Sequence, residues 1–200
     1  MMKRIPLVEV PITEAEAEEQ GMKNLKALAM DGGADDPRYA FLSALRLTIP
    51  ARAKMNRLKE AADTLNKRVL PYSACRSGCS HCCNIAALIT QTEAEALAKA
   101  SGRKMVRTKC DVPSVEMRMK WFKVPCPFLV KGQCSVYNDR PLACRLLFNL
   151  SESPHFCRTD IPPEESHVIM LNLKELEDGY MKAFLNENWG DIRDFFPPAR

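Results

Sequence analysis

Cys75-Arg-Ser-Gly-Cys79-Ser-His-Cys82-Cys83 puts four thiols within nine positions. A soft metal ion needs several thiolates converging on one point at about 2.3 Å. Short Cys-x3-Cys and Cys-x2-Cys spacings allow this, because one turn of loop backbone aims two sulfurs inward. Gly78, beside Cys79, gives the backbone room for that turn. Cys75, Cys79 and Cys82 therefore form a half-site that a distant group must complete. Cys83 is the awkward member, since adjacent residues point roughly 100° apart on a helix and to opposite faces of a strand. Either it serves a second site, or a multinuclear cluster spreads over both cysteines, or it is a buried apolar residue.

The distant group lies further along. Cys126-Pro-Phe-Leu-Val-Lys-Gly-Gln-Cys134-Ser-Val-Tyr has two short apolar runs around Lys131-Gly132-Gln133, the pattern of a tight hairpin. Such a hairpin brings Cys126 and Cys134 together. Arg140-Pro141-Leu-Ala-Cys144-Arg145 and Cys157 follow. Four early and four late thiols suit two tetrahedral sites, or one iron–sulfur cluster with thiols to spare; spacing alone does not choose. Cys110 sits in a basic stretch outside both groups and is left unassigned. His81 and His155 flank the cysteines as substitute ligands. Arg140 and Arg145 have two readings. They pair with carboxylates and backbone carbonyls, the favoured one, or they balance thiolate charge or hold an anionic substrate.

Composition sets the frame for these thiols. Nine cysteines is an odd number, and in a reducing compartment clustered cysteines are metal ligands or redox groups rather than disulfides. The first 21 residues are interrupted by Pro6, Glu9 and Pro11 and lack the apolar core of a signal peptide. No run of about 18 apolar residues suggests a membrane span. The expected location is the cytoplasm. A net charge of +4 is mild, permitting a weak interaction with nucleic acid or an acidic protein but not marking a dedicated nucleic-acid binder. No phosphate-binding glycine loop, HExxH or Ser–His–Asp order is present.

Outward from the cysteines, the expected elements are helical. Residues 1–35 read as a poorly ordered arm, with prolines, an acidic run over Glu14–Glu19 and a Gly-Gly loop. Asp36-Pro37 supplies an N-cap and a first-turn proline, and apolar steps of three and four carry helix over 38–69 with a break at Pro50. The basic residues on the other face of that helix read as solvated surface. Thr92 and Glu95 have the spacing of a capping box, and Gly102 closes the helix they open. A helix over 113–123 and a long one over 163–186 follow, the latter burying Ile169, Leu173, Leu176, Tyr180 and Phe184. The fold expected is mostly α, of α+β type, with helices packed around a cysteine-rich metal-binding loop and a short β-hairpin. Residues 36–190 make one domain, and 191–200 a C-terminal tail.

Taken together, Cys75-x3-Cys79-x2-Cys82-Cys83, Cys126-Pro-Phe-Leu129, Gly132-x-Cys134-x-Val-Tyr137 and Arg140-Pro141-x-x-Cys144-Arg145 resemble the YkgJ-type cysteine-cluster family, with its CxxCxxCC motif. The likeness covers about residues 72–160. Three residues, not two, separate the first two cysteines here, a spacing that also occurs in some branches. The resemblance implies a zinc- or iron-chelating domain and leaves the biological role undefined. Flagellin lysine methylases look similar in their cysteine region and are associated with an iron–sulfur cluster. Cys75-x3-Cys79-x2-Cys82 also has the spacing of radical S-adenosylmethionine cluster loops, but the chain is short for the barrel such enzymes use and lacks its strand–helix alternation.

The expected ligands are thus Cys75, Cys79, Cys82, Cys83, Cys126, Cys134, Cys144 and Cys157, holding zinc or iron, the latter including a [4Fe-4S] cluster. The first functional reading is metal binding by this set. The alternatives are an iron–sulfur redox or protein-modifying enzyme, and a zinc-stabilised module for protein or nucleic-acid interaction.

Overall fold

The computed structural model describes residues 10–31, 36–108 and 115–197. Residues 1–9 and the Gly-Gly loop at 32–35 lie outside the described residues, as do Cys110, the start of the 113–123 helix and the last three residues. The molecule is mostly helical, as expected, with two small two-stranded sheets. No described helix is long and apolar enough to cross a membrane.

The first correction concerns the arm. Within it, α1 (Glu14–Met30) is a regular helix, opened by a capping box in which Thr13 and Glu16 exchange bonds with each other's backbone N–H. The acidic run thus lies in the first turns, where it complements the helix dipole rather than unravelling the chain. Tertiary contacts hold α1 down. Ala17 is fully buried, Asn24 Nδ2 donates to the Leu150 carbonyl at 2.8 Å, and a Cβ on Gly21 would fall 2.5 Å from Ile169 Cγ2.

The next helices match expectation. α2 (Pro37–Arg46) has Asp36 as N-cap, and α3 (Ala51–Val69) starts after Pro50. Met55, Leu58, Ala62, Leu65 and Val69 of α3 are buried, so the three–four spacing gave the core face correctly. The run before the next helix forms β1 (Leu88–Thr90). α4 (Gln91–Ser101) ends on Gly102 in the left-handed conformation at φ 70°. Its capping box is Thr90–Glu93, however, not Thr92–Glu95. Pairing of β1 leaves Thr90 extended, the backbone an N-cap requires, whereas Thr92 is already helical and bonds Glu187 instead.

α5 (Val115–Lys120) is short, and the hairpin follows as β2 (Leu129–Val130) and β3 (Gln133–Cys134). Lys131 and Gly132 both have positive φ, the primed turn that matches strand twist. α6 (Leu142–Arg145) is one turn carrying Cys144.

The long helix expected over 163–186 is cut down to α7 (Lys174–Ala183), preceded by a 3-10 turn at Pro163–Glu165. The stretch between is extended. Leu150 donates to the Ile169 carbonyl at 2.7 Å, Met170 bridges Asn149, and Asn172 Oδ1 takes the Lys174 N–H at 3.1 Å. Cross-strand bonding has won over helical propensity here. The expected buried face survives in Leu173, Leu176, Tyr180 and Phe184.

The tail is also corrected. β4 (Trp189–Asp191) pairs antiparallel with β1, and α8 (Ile192–Phe195) follows. Asp191, Ile192, Arg193, Phe195 and Phe196 are all buried. Two hydrophobic clusters result. One joins α2, α3, α6 and α7; the other gathers Ile89, Leu97, Phe128, Ile192, Phe195 and Phe196.

Candidate metal centre

Between the two clusters lies a cavity of about 270 Å³. Phe148 lines it from the first cluster; Phe128, Val136 and Ile192 line it from the second. Seven of the eight described cysteines line it too: Cys75, Cys79, Cys82 and Cys83 from the first region, and Cys126, Cys134 and Cys144 from the second.

Local structure explains how each thiol arrives. The chain leaves α3 through a 3-10 turn at Leu70–Tyr72, and the Asn149 carbonyl then catches Ala74 N at 3.0 Å and Ser73 Oγ at 2.7 Å. Cys75 follows directly. Gly78 at φ 97° lets Cys79 N close a turn onto the Arg76 carbonyl at 3.1 Å. Cys82 and Cys83 sit in the 3-10 turn His81–Asn84 and are hydrogen-bonded to each other through their side chains. Cys126 N donates to the Cys83 carbonyl at 2.7 Å, stitching the second region onto the first. The hairpin delivers Cys134, and α6 delivers Cys144.

Cys157 lies apart from the cavity wall. It is reached through Asn149, whose backbone N–H donates to Cys75 Sγ at 3.4 Å and whose Nδ2 donates to Cys157 Sγ at 3.3 Å.

The apolar wall acts on the thiols. Burial pushes Cys126 up to about 11, and pushes Cys144, Cys79 and Cys134 upward as well. Cys82 and Cys83 separate. The hydrogen bond from Cys82 brings Cys83 down to about 7, helped by the Arg193 guanidinium, while the same bond and burial hold the Cys82 proton tightly. Cys83 is thus the more acidic of the adjacent pair, and Cys82 the less.

The donor set has a distinct chemistry. No carboxylate and no imidazole is among the described residues that line the cavity, so His81 and His155 are not brought to its wall. A ligand set dominated by thiols selects zinc, copper(I) or iron–sulfur chemistry and disfavours magnesium or calcium. A thiophilic centre therefore fits. Among the described residues no three His, Cys, Asp or Glu side chains are already gathered at ligand geometry. The thiols share a space, not a common point.

Arg145 follows the favoured structural reading. It is buried, pairs with Asp63, and donates to the carbonyls of Arg140 and Asn138. Arg140 stacks on Tyr137 and donates to Asn66 Oδ1 at 3.2 Å, and, like Arg76, it lines the cavity.

Sequence reasoning missed Glu93 and Arg193. Glu93, fully buried, accepts the Leu142 N–H at the start of α6 at 2.8 Å and the Tyr180 hydroxyl at 2.8 Å, bracing the turn that presents Cys144. Its place in a Thr-x-x-Glu cap was readable; its burial was not. Arg193 lies in what read as tail, and nothing in its local sequence marks it.

Fold and site together define a helical cysteine-cluster protein. Residues 74–160 match the family model CxxCxxCC, described as a putative zinc- or iron-chelating domain. No curated protein and no solved structure matches the chain.

Proposed function

We propose that the cavity binds more than one metal atom through its cysteines, as an iron–sulfur cluster in the first instance. The observation that carries this reading is that seven thiols, including the adjacent Cys82–Cys83 pair, line one cavity of about 270 Å³. A closed tetrahedral zinc site uses four thiolates and leaves no interior space. The cavity is many times larger than the space a single water requires, room for a centre that brings inorganic sulfide with it.

Cys75, Cys79, Cys82, Cys83, Cys126, Cys134 and Cys144 are the candidate ligands, since all seven line the cavity. Such a centre supplies one-electron redox chemistry or, if closed, a structural cross-link between the two cysteine regions. The chain's own part is to hold the thiols on one wall beside Phe128, Val136, Phe148 and Ile192, with Arg76 and Arg140 offsetting thiolate charge. Zinc is the second reading, supported by the family description and by the same donor set.

The test is iron, zinc and acid-labile sulfide per chain, with an ultraviolet–visible spectrum, on protein purified without air. Iron and sulfide in equal amounts, with a broad band near roughly 400 nm, support the cluster. Colourless protein with two zinc ions supports the second reading. A single zinc ion per chain overturns the polynuclear proposal.

A further inference from the structure

Backbone bonds inside the 74–160 segment join its two cysteine regions, among them Cys126 N–H to the Cys83 carbonyl at 2.7 Å, and a residue beyond the segment reinforces that join. Arg193 is 2% exposed, and its partner Asp191 is fully buried. Nη1 of Arg193 donates to both carboxylate oxygens of Asp191, at 2.9 and 3.1 Å. Nη2 donates to the carbonyls of Cys83 and Val124, and Nε donates to that of Pro125 at 3.3 Å. Five N–H groups thus meet five acceptors, the full capacity of a guanidinium.

The identity of those carbonyls matters. One belongs to Cys83; the others belong to the two residues immediately before Cys126. Asp191 is itself tied to the first region, because its Oδ2 accepts Ala87 N at 2.6 Å.

We infer that Arg193 is a positioning residue for the metal centre: its rigid fork braces the backbone join between Cys83 and Cys126, and with it the orientation in which the two residues present their sulfurs to one centre. The inference rests on the reading that the cavity binds metal. Lysine keeps the charge but loses the fork, so it cannot hold three carbonyls and a carboxylate at once.

Cobalt(II) is the probe, titrated into the full chain under anaerobic reducing conditions, with thiolate-to-metal absorption as the readout. Arg193→Lys is compared with wild type and with Leu176→Ala, a core truncation in the other hydrophobic cluster. Arg193→Lys is expected to bind cobalt about 10- to 100-fold more weakly, the usual effect of losing a residue that orients ligands. Its thiolate absorption per bound ion should also fall. Leu176→Ala should lower the melting temperature and leave affinity and spectrum unchanged. Wild-type affinity and spectrum in Arg193→Lys overturn the inference, as does the same spectral loss in Leu176→Ala. If Arg193→Lys does not fold, Asp191→Asn carries the comparison, since it weakens the anchor and keeps the guanidinium. An unchanged spectrum there is equally fatal. Wild type that binds no cobalt instead sinks the reading of the cavity, a result distinguishable from all the others.

Discussion

The amide of Cys126 donates to the carbonyl oxygen of Cys83 across 2.7 Å, and the two thiols line the same cavity. A short backbone bond between ligand-bearing residues means that the two cysteine regions are one structural unit. Loss of a thiol on either side should therefore be felt on both. Cys79→Ser and Cys134→Ser are each expected to lower metal affinity by more than about 100-fold, since even loss of an orienting neighbour costs about 10- to 100-fold. Cys157→Ser, which lies off the cavity wall, should lose much less, and Cys110→Ser nothing. Elemental analysis after gel filtration checks the series; equal loading in all four variants would reject the ligand set.

Metal removal should loosen the join between the regions. A ligand that binds only the folded state at a thousand times its Kd adds about 4 kcal/mol of stability. Chelation under reducing conditions is therefore expected to lower the melting temperature and open the cavity thiols to alkylation. Mass spectrometry of alkylated peptides gives the pattern. Unchanged labelling of Cys126 and Cys144 on chelation would contradict it.

Glu93 gives a pH signature. Burial raises its carboxyl above the ordinary value of 4.5, although Lys59 and three donated hydrogen bonds oppose the shift. The native state therefore holds this proton more tightly than the unfolded chain does. Between pH 4.5 and the raised native value, the group's contribution to stability falls as pH rises, and it levels off above that window. Glu93→Gln should remove this slope from the difference between variant and wild type in denaturant titrations across acid pH. Parallel curves for the two proteins would refute the assignment.

Gly78 sits at φ 97° with nothing within 4 Å of where a Cβ would stand. Any cost of Gly78→Ala is thus backbone strain alone, about 1–2 kcal/mol. Since the strained turn carries Cys79, metal affinity should drop along with stability. Calorimetric melting with and without chelator separates the two effects, and a larger loss in the metal-free protein would argue against the coupling.

Much of this was legible in the chain. The thiol spacings, the Lys131-Gly132 hairpin, the Asp36-Pro37 helix start and the core stripe of α3 are local patterns whose physical cause lies within a few residues. The shift of the capping box from Thr92 to Thr90, and the shortening of the 163–186 helix, were not. Both turn on strand pairing with partners distant in sequence, which a local pattern cannot register.

By itself the sequence determined the chemistry: a dense set of soft sulfur donors on tight turns, in a mostly helical chain. Only the tertiary structure decided which thiols share a wall, that Cys157 stands off it, and that Arg193 and Glu93 brace it. Those facts depend on where a guanidinium and a carboxylate find buried partners. Burial is a property of the packed molecule, set by apolar surfaces that meet only once the chain has folded.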